Sequence, residues 1–228
     1  MTVENIPLCI PGEHRGRAQL LGARWNRDTR TWNVASNNKS LDLFAPWLPS
    51  VYLKKYFPAL IKGLALEAEV VPETCMFSNL RSVLTPEEWR KVADKTYIES
   101  AHRCRVCGGK GDKHPVEAHE IWDYNMGTLT QTLVGVTSLC PPCHEVKHIG
   151  LAGIRGRAEI ALARLKWLNN FSDAALSAYI EQTYSIYEER SIFEWDLNIS
   201  YIERYGISKN ITDRWTPEAL KLREDAFG

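Results

Sequence analysis

The spacing of apolar and polar residues changes along the chain, from short mixed patterns at the N-terminus to helical repeats at the C-terminus. Residues 7–10 are mostly apolar and predict a short strand. Residues 12–21 predict a helix, and Gly22 stands where a glycine commonly ends one. The chain therefore opens with a strand followed by a helix.

Two further runs, 24–27 and 31–34, each carry a tryptophan and are separated by three polar residues. This pattern predicts a β-hairpin. We expect its tryptophans, Trp25 and Trp32, to pack on the preceding helix. Residues 1–48 are thus predicted to form a small βαββ-like domain.

Residues 49–84 contain several prolines around an apolar stretch, 56–71, and predict a connector with one helix in that stretch. A new helix is expected from Thr85 to about Ala101. Thr85 can cap it, the following proline suits the first helical position, and Glu88 favours the positive helix end.

From Ile149 onward, apolar residues recur at three- and four-residue steps, which predicts helices with buried apolar stripes. The stripe residues are Ile154, Ala158, Ala161, Leu165, Leu168, Leu176, Ile180, Tyr184 and Tyr187. We place the last domain at 85–228. The expected fold class is α+β, with a mainly helical C-terminal domain.

The formal net charge is zero, but the charges are unevenly distributed. Residues 14–41 carry six bases and one acid, whereas residues 171–228 carry six bases and eleven acids. A basic, tryptophan-bearing segment can hold a nucleic-acid strand, although an aromatic core with a solvated basic face explains it equally simply. The acidic C-terminal helices are a candidate surface for a protein partner. The N-terminal candidates for nucleic-acid binding are Arg15, Arg17, Arg24, Arg27 and Arg30.

The sequence has no basic-then-apolar leader and no apolar run near the roughly 18 to 20 residues that a bilayer requires. We therefore expect a cytoplasmic protein without a membrane partner. In a reducing compartment, paired cysteines favour metal binding over disulfides.

Four of the six cysteines form two C-x-x-C pairs, separated by thirty-two residues. Each pair can chelate an ion from a tight turn, and four thiolates complete the tetrahedron that structural zinc prefers. The sequence therefore predicts a structural zinc site formed by Cys104, Cys107, Cys140 and Cys143.

Five of the six histidines lie within residues 102–148. His144 follows the last cysteine, and His148 comes four residues later, so on a helix both imidazoles project from one face. They can share a second, catalytic divalent ion. His102 and His114 are expected to be surface histidines.

The N-terminal segment Leu21-Gly-Ala-Arg-Trp-Asn26, followed by Trp32-Asn-Val34, resembles a small domain of unknown function. That family occurs in bacterial, plasmid and phage proteins, some of them primase-like. The resemblance covers about a fifth of the chain. It implies a role in phage or plasmid biology but no particular activity.

The cysteine region resembles the HNH, or ββα-metal, nucleases with treble-clef zinc knuckles. The matching segments are Cys104-Arg-Val-Cys107, Val116-Glu-Ala-His-Glu-Ile121 and Leu139-Cys-Pro-Pro-Cys-His-Glu-Val-Lys-His148. The resemblance implies that His119 is the general base and that His144 binds Mg²⁺ or another divalent ion. His144 and His148 together are similar to the colicin-type members, in which both histidines bind the ion.

The sequence departs from that family at two positions. Ala118 precedes the base where a metal-binding Asp or His is usual, so Asp123 or Glu120 would have to supply a ligand. Gly135 and Val136 occupy the place of the middle asparagine, and Asn125 could replace it only through another loop path.

The aromatic and basic residues around the motif complete the prediction. We expect Trp122 and Tyr124 to pack in a strand rather than stack on bases. The residues after the motif that could hold flanking phosphates, or simply form a solvated helix face, are Arg155, Arg157, Arg164 and Lys166. The resulting hypothesis is an endonuclease that acts on DNA, with RNA as a second possible substrate. The alternative is an inactive zinc module that binds nucleic acid or a protein partner.

Overall fold

The structure, a computed structural model, describes residues 2–61, 63–209, 221 and 224. It confirms the α+β class, with two small sheets and several helices. Two compact units are present. The first comprises residues 1–69, 96–118 and 138–176, and the second comprises residues 70–95, 119–137 and 177–228.

The first unit begins with a three-stranded antiparallel sheet. Its elements are strand β1 (Asn5–Leu8), helix α1 (Arg15–Leu20), strand β2 (Arg24–Asn26) and strand β3 (Thr31–Ala35). The strand order is β1-β3-β2, and the β2–β3 pairing confirms the predicted hairpin. Gly22 ends the helix with a φ of 103°, as predicted.

Alternation along these strands sends one set of side chains into a core and leaves the other set outside. Ile6, Leu8 and Val34 are buried in that core. Trp32 packs against it, but Trp25 is 48% exposed and stands beside Trp32 with ring centroids 5.7 Å apart. The prediction that both tryptophans pack on the helix was therefore wrong for Trp25, which lies on the edge strand β2.

The connector carries its first helix, α2 (Ser50–Tyr56), earlier than predicted, and a single 3₁₀ turn follows at Pro58–Leu60. Phe57 precedes Pro58 and leaves the helical region, with φ −136° and ψ 59°. A proline disfavours helical geometry in the residue before it, so the apolar stretch could not continue the helix. Helix α3 (Leu80–Val83) is a short turn near the end of the connector.

Helix α4 (Pro86–Glu99) begins at the predicted position. Thr85 and Glu88 form a reciprocal capping box, because the Thr85 N–H donates to Glu88 Oε2 at 2.8 Å and the Glu88 N–H donates to Thr85 Oγ1 at 3.3 Å. The four C-terminal helices are α5 (Pro141–Lys147), α6 (Ile149–Ile154), α7 (Ala158–Asn169) and α8 (Asp173–Ser191).

The predicted apolar stripe holds in α7 but not throughout. Ala161, Leu165 and Leu168 are buried, whereas Ile154 is 86% exposed and helix α8 has no buried residue. The stripe prediction was therefore wrong for Ile154 and for α8. Periodicity identified these helices without indicating how much of each would be covered.

The second sheet has the strand order β4-β5-β6, formed by β4 (Glu117–Asn125), β5 (Thr130–Leu139) and β6 (Asp196–Asn198). In the second unit, Tyr124 is buried edge-on against Trp195, with ring centroids 5.3 Å apart, and Trp122 is packed against the same cluster. This confirms that both aromatic side chains pack.

In the described part of the chain, no helix combines the length and the apolar character needed to cross a bilayer. The predicted acidic C-terminal surface lies partly outside the described residues, since its members Asp213, Glu218 and Asp225 are not described.

Candidate metal centre

The first knuckle is a tight turn, Cys104–Gly109, whose backbone closes on itself. The Gly108 N–H donates to the Cys104 carbonyl at 2.8 Å, and the Cys104 N–H donates to the Gly109 carbonyl at 3.0 Å. Gly108 has a φ of 76°, which a residue with a side chain rarely adopts. The Gly109 N–H then donates to Cys107 Sγ at 3.4 Å, a bond that stabilises a thiolate.

The second knuckle joins strand β5 to helix α5. Cys140 is the N-cap of the helix, and Pro141 occupies its first position. The N–H groups of Cys143 and His144 both donate to the Cys140 carbonyl at 2.9 Å. The helix start thereby places Cys143 one turn from Cys140, within reach of the same ion.

The four cysteine sulfur atoms lie within 4.8 Å of one another, all in the first unit. The Cys107 and Cys140 sulfurs are 3.6 Å apart, close to the about 3.8 Å that a tetrahedral ion with four Zn–S bonds requires. Cys104 and Cys143 are fully buried. The donor set fits a structural zinc ion and leaves no fifth position for chemistry.

The groups around the sulfur atoms favour thiolates and balance part of their negative charge. Hydrogen bonding with Cys104, Cys140 and Cys143 lowers the pKa of the Cys107 thiol far below its usual range. Burial lowers the pKa of the Arg164 guanidinium, but the nearby Cys143 sulfur outweighs burial and raises that pKa on balance. Arg164 donates to Cys143 Sγ at 3.3 Å, so it offsets part of the negative charge of a four-thiolate site.

The first knuckle also contacts the N-terminal module, defined here as residues 5–49. Arg103 Nη1 donates to the Gly108 carbonyl at 3.0 Å, and its Nη2 donates to the carbonyls of Thr29 and Arg30 at 3.1 and 2.9 Å. Cys9 Sγ contacts the Cys104 carbonyl at 3.7 Å. The module and the zinc knuckles are therefore parts of one compact unit.

A second polar cluster follows the second knuckle. The Glu117 carboxylate contacts Nδ1 of His144, and Nε2 of His144 lies 3.2 Å from Nε2 of His148. Two imidazole nitrogens bound to one tetrahedral zinc-like ion would be about 3.4 Å apart. Helix α5 ends at Lys147, so His148 lies just beyond it, and the two rings contact each other with centroids 4.7 Å apart.

His119 lies in strand β4, two residues after Glu117, so strand alternation puts both side chains on one face. Its side chain is only 1% exposed. His119 belongs to the second unit, whereas His144 and His148 belong to the first, where their candidate ligand atoms lie within 4.8 Å of each other. The histidine pair of the first unit, His144 and His148, can therefore share a metal ion.

The carboxylates suggested by sequence are placed differently from Glu117. Glu120 Oε1 accepts a hydrogen bond from the Leu80 N–H at 3.2 Å, and Asp123 is exposed. Both carboxylates belong to the second unit, whereas His144 and His148 belong to the first. Sequence reasoning missed Glu117, although its position two residues before His119 was a usable signal.

The structure describes the surroundings of the residues at which the sequence departs from the HNH pattern. Ala118 is 3% exposed, and its N–H donates to the Tyr97 hydroxyl at 3.2 Å. Gly135 lies within β5, where an added Cβ would meet Ile121 Cδ1 at 3.3 Å. Asn125 caps a turn instead, because its Oδ1 accepts from the N–H groups of Gly127 and Thr128.

Most basic residues after the motif have partners in the first unit. Arg157 pairs with Glu145 and Lys166 with Asp173, whereas Arg155 is exposed. His102 and His114 are exposed, which confirms the surface prediction for these histidines. The N-terminal arginines are all exposed as well: Arg15, Arg17, Arg24, Arg27 and Arg30.

Comparison with known proteins bears on the N-terminal module. Residues 6–49 match a family model described as a domain of unknown function, DUF5710. No HNH family model matches the cysteine region. No curated protein and no solved structure matches the chain.

Proposed function

We propose that the chain is an HNH-like, metal-dependent endonuclease that hydrolyses phosphodiester bonds in DNA. The observation that carries this proposal is the contact of Glu117 with His144 and of His144 with His148, the two histidines that follow the second cysteine knuckle. A closed four-sulfur site has no open position for a substrate, whereas paired imidazole nitrogens leave most of an ion's coordination sphere free.

In this proposal, His144 and His148 hold the divalent ion, Mg²⁺ or a similar cation, and Glu117 orients the His144 ring. A bound ion would stabilise the negative charge that develops on the phosphate and on the leaving oxygen. The cysteines hold zinc only as a scaffold that fixes the start of α5.

His119 is assigned the role of general base. Its imidazole accepts a proton from a water molecule as the water oxygen attacks the phosphorus atom. The bond from phosphorus to the leaving oxygen breaks, and that oxygen is protonated by solvent. Burial of the His119 side chain supports this role, because a buried ring is held in one orientation.

Plasmid nicking tests the proposal. The zinc-loaded full chain should relax supercoiled plasmid when Mg²⁺, Mn²⁺ or Ni²⁺ is supplied. His119→Ala should lower the rate by about 10²- to 10⁴-fold, the usual contribution of a general base. His102→Ala, at an exposed histidine, is the matched control and should nick normally. Absence of nicking by the unaltered chain, or equal nicking by His119→Ala, would refute the proposal.

A second candidate function is a zinc module that binds nucleic acid or a protein partner without catalysis. The buried Ala118 favours it, because this side chain offers no ligand where the nucleases supply one. Metal analysis separates the two functions. A chain that retains one zinc ion and takes up no second ion from an excess of Mn²⁺ or Ni²⁺ would support the binding module.

A further inference from the structure

A cleft of about 480 Å³, lined in part by Trp25, lies on the N-terminal sheet, on the face opposite the buried Ile6 and Leu8. This volume falls in the range of about 300–1,000 Å³ that small-molecule sites occupy. Five carboxamides and one guanidinium line it: Asn5, Arg24, Asn26, Asn33, Asn37 and Asn38.

Several of these amides are positioned by their own hydrogen bonds. Asn26 Oδ1 accepts from the N–H groups of Asp28 and Thr29, which leaves its amide nitrogen available as a donor. Asn33 Nδ2 donates to the Thr31 carbonyl at 3.3 Å, which leaves its carbonyl oxygen available as an acceptor. The cleft therefore presents donors and acceptors side by side.

Asn5 and Asn37 add amides that are not engaged locally. Within the described residues, neither side chain makes a hydrogen bond, and both are exposed. A carboxamide offers a donor and an acceptor together, the combination that matches the hydrogen-bonding edge of a nucleobase. A ligand with mixed donors and acceptors is therefore favoured.

The charge of the cleft selects among such ligands. Arg24 contributes a guanidinium, no carboxylate lines the cleft, and the surrounding segment 14–41 has five more bases than acids. This favours an anion, because a guanidinium binds phosphate through paired hydrogen bonds. A neutral sugar would not require that charge.

We infer that this cleft binds a nucleotide of a single-stranded nucleic acid, with the amides contacting the base edge and Arg24 contacting the phosphate. A concave site can receive an unpaired base but cannot enter a duplex groove, where base edges are reached by protruding elements. The inference does not depend on nuclease activity, because binding can be measured without a catalytic ion.

Fluorescence anisotropy tests it with the zinc-loaded full chain and no added divalent ion. The probes are a short labelled single strand of mixed sequence, as DNA and as RNA, and the matching duplex. The chain should bind a single strand more tightly than the duplex. Asn37→Asp and Arg24→Gln should each weaken that binding about tenfold, since each removes a contact and makes the cleft more negative.

Two controls match those variants in charge. Asn170→Asp adds the same charge at an exposed asparagine of the first unit, and Lys113→Gln removes the same charge at an exposed lysine of that unit outside the cleft. Measured at the same salt concentration, both controls should change the affinity for the single strand by less than about twofold. Circular dichroism and zinc content should stay unchanged in all four variants.

The inference fails if single strands do not bind saturably, if the duplex binds more tightly, or if the cleft variants and their controls lose equal affinity. Loss of nicking with retained binding would count against the proposed nuclease alone. Retained nicking with no effect of Asn37→Asp on binding would count against the cleft alone.

Discussion

At the scale of single residues, the Glu117 carboxylate determines which nitrogen of His144 can bind a metal ion. A carboxylate at Nδ1 favours the neutral tautomer that carries its proton on Nδ1, and that tautomer leaves the lone pair of Nε2 for an ion bound beside His148. Carboxylates that orient metal-binding histidines in this way typically contribute 10- to 100-fold to metal affinity. In the proposed site, Glu117 therefore orients a ligand without having to touch the ion.

Glu117→Gln should weaken binding of Mn²⁺ or Ni²⁺ at the histidine pair by about 10- to 100-fold while leaving zinc content unchanged. The physical reason is that a neutral amide no longer fixes the charge and tautomer of the His144 ring. Isothermal titration of the zinc-loaded chain measures the effect.

Glu120→Gln is the matched control for that variant. Glu120 lies in the same strand, and its carboxylate accepts from the Leu80 N–H, a role that an amide oxygen can keep. The affinity of the Glu120→Gln variant for Mn²⁺ or Ni²⁺ should match that of the unaltered chain. Equal losses in the two variants would contradict a specific role for Glu117.

At the scale of elements, helix α4 shows how a local signal defines a boundary. Thr85 and Glu88 satisfy each other's backbone N–H groups, so the helix begins where its first turn can be capped. Burial raises the pKa of Glu88, but its hydrogen bonds with Thr85 and Lys209 outweigh burial and lower the pKa on balance.

Thr85→Ala should lower the free energy of unfolding by about 1 kcal/mol, the usual cost of a lost N-cap. Urea denaturation measures it. Glu87→Gln alters an exposed first-turn glutamate without removing the capping bonds and should cost clearly less. If both variants cost the same, the capping box does not stabilise the helix.

The lowered Glu88 pKa makes this contribution depend on pH. A carboxylate with a lowered pKa stabilises the folded chain above its unfolded pKa, about 4.3. The stability difference between the unaltered chain and Glu88→Gln should therefore be complete above that pH and disappear as pH falls through the lower folded value. A difference that grows on acidification would contradict this sign.

Local signals explain what the sequence could predict. The hairpin, the α4 boundary and both knuckles rest on turn residues, caps and paired cysteines, all of which act within a few residues. Contacts between distant segments could not be read in the same way. The exposure of Trp25 and Ile154 and the pairing of Glu117 with His144 depend on which side chains of other segments lie opposite them.

At the scale of the molecule, the N-terminal module and both knuckles share a unit assembled from three separate segments. The sequence-based boundaries at 48 and 84 remain predictions. Arg103 bridges the hairpin and the first knuckle, and the Ser50 N–H donates to the Arg105 carbonyl at 2.9 Å. Zinc binding is therefore expected to stabilise the module as well as the knuckles.

Cys107→Ser should unfold the zinc region, because small metal knuckles fold with their ion, and should also reduce hydrogen-exchange protection in β3. The second effect arises because Arg103 loses a fixed position from which to hold the hairpin carbonyls. Exchange measured by mass spectrometry resolves the two segments. Cys75→Ser alters a buried cysteine outside the metal site and is the control. Unchanged protection in β3 of Cys107→Ser would contradict the coupling.

Gly108 has a consequence for how this chain can evolve. A Cβ at Gly108 would come within 2.7 Å of Pro7 Cγ and 3.0 Å of Pro49 Cγ. The glycine is therefore needed both for the cysteine turn and for the close contact of that turn with the N-terminal module. A gene fusion that transferred the module to another zinc knuckle would need both a small residue at this position and an arginine equivalent to Arg103. The module and its knuckle are thus expected to be inherited as a pair.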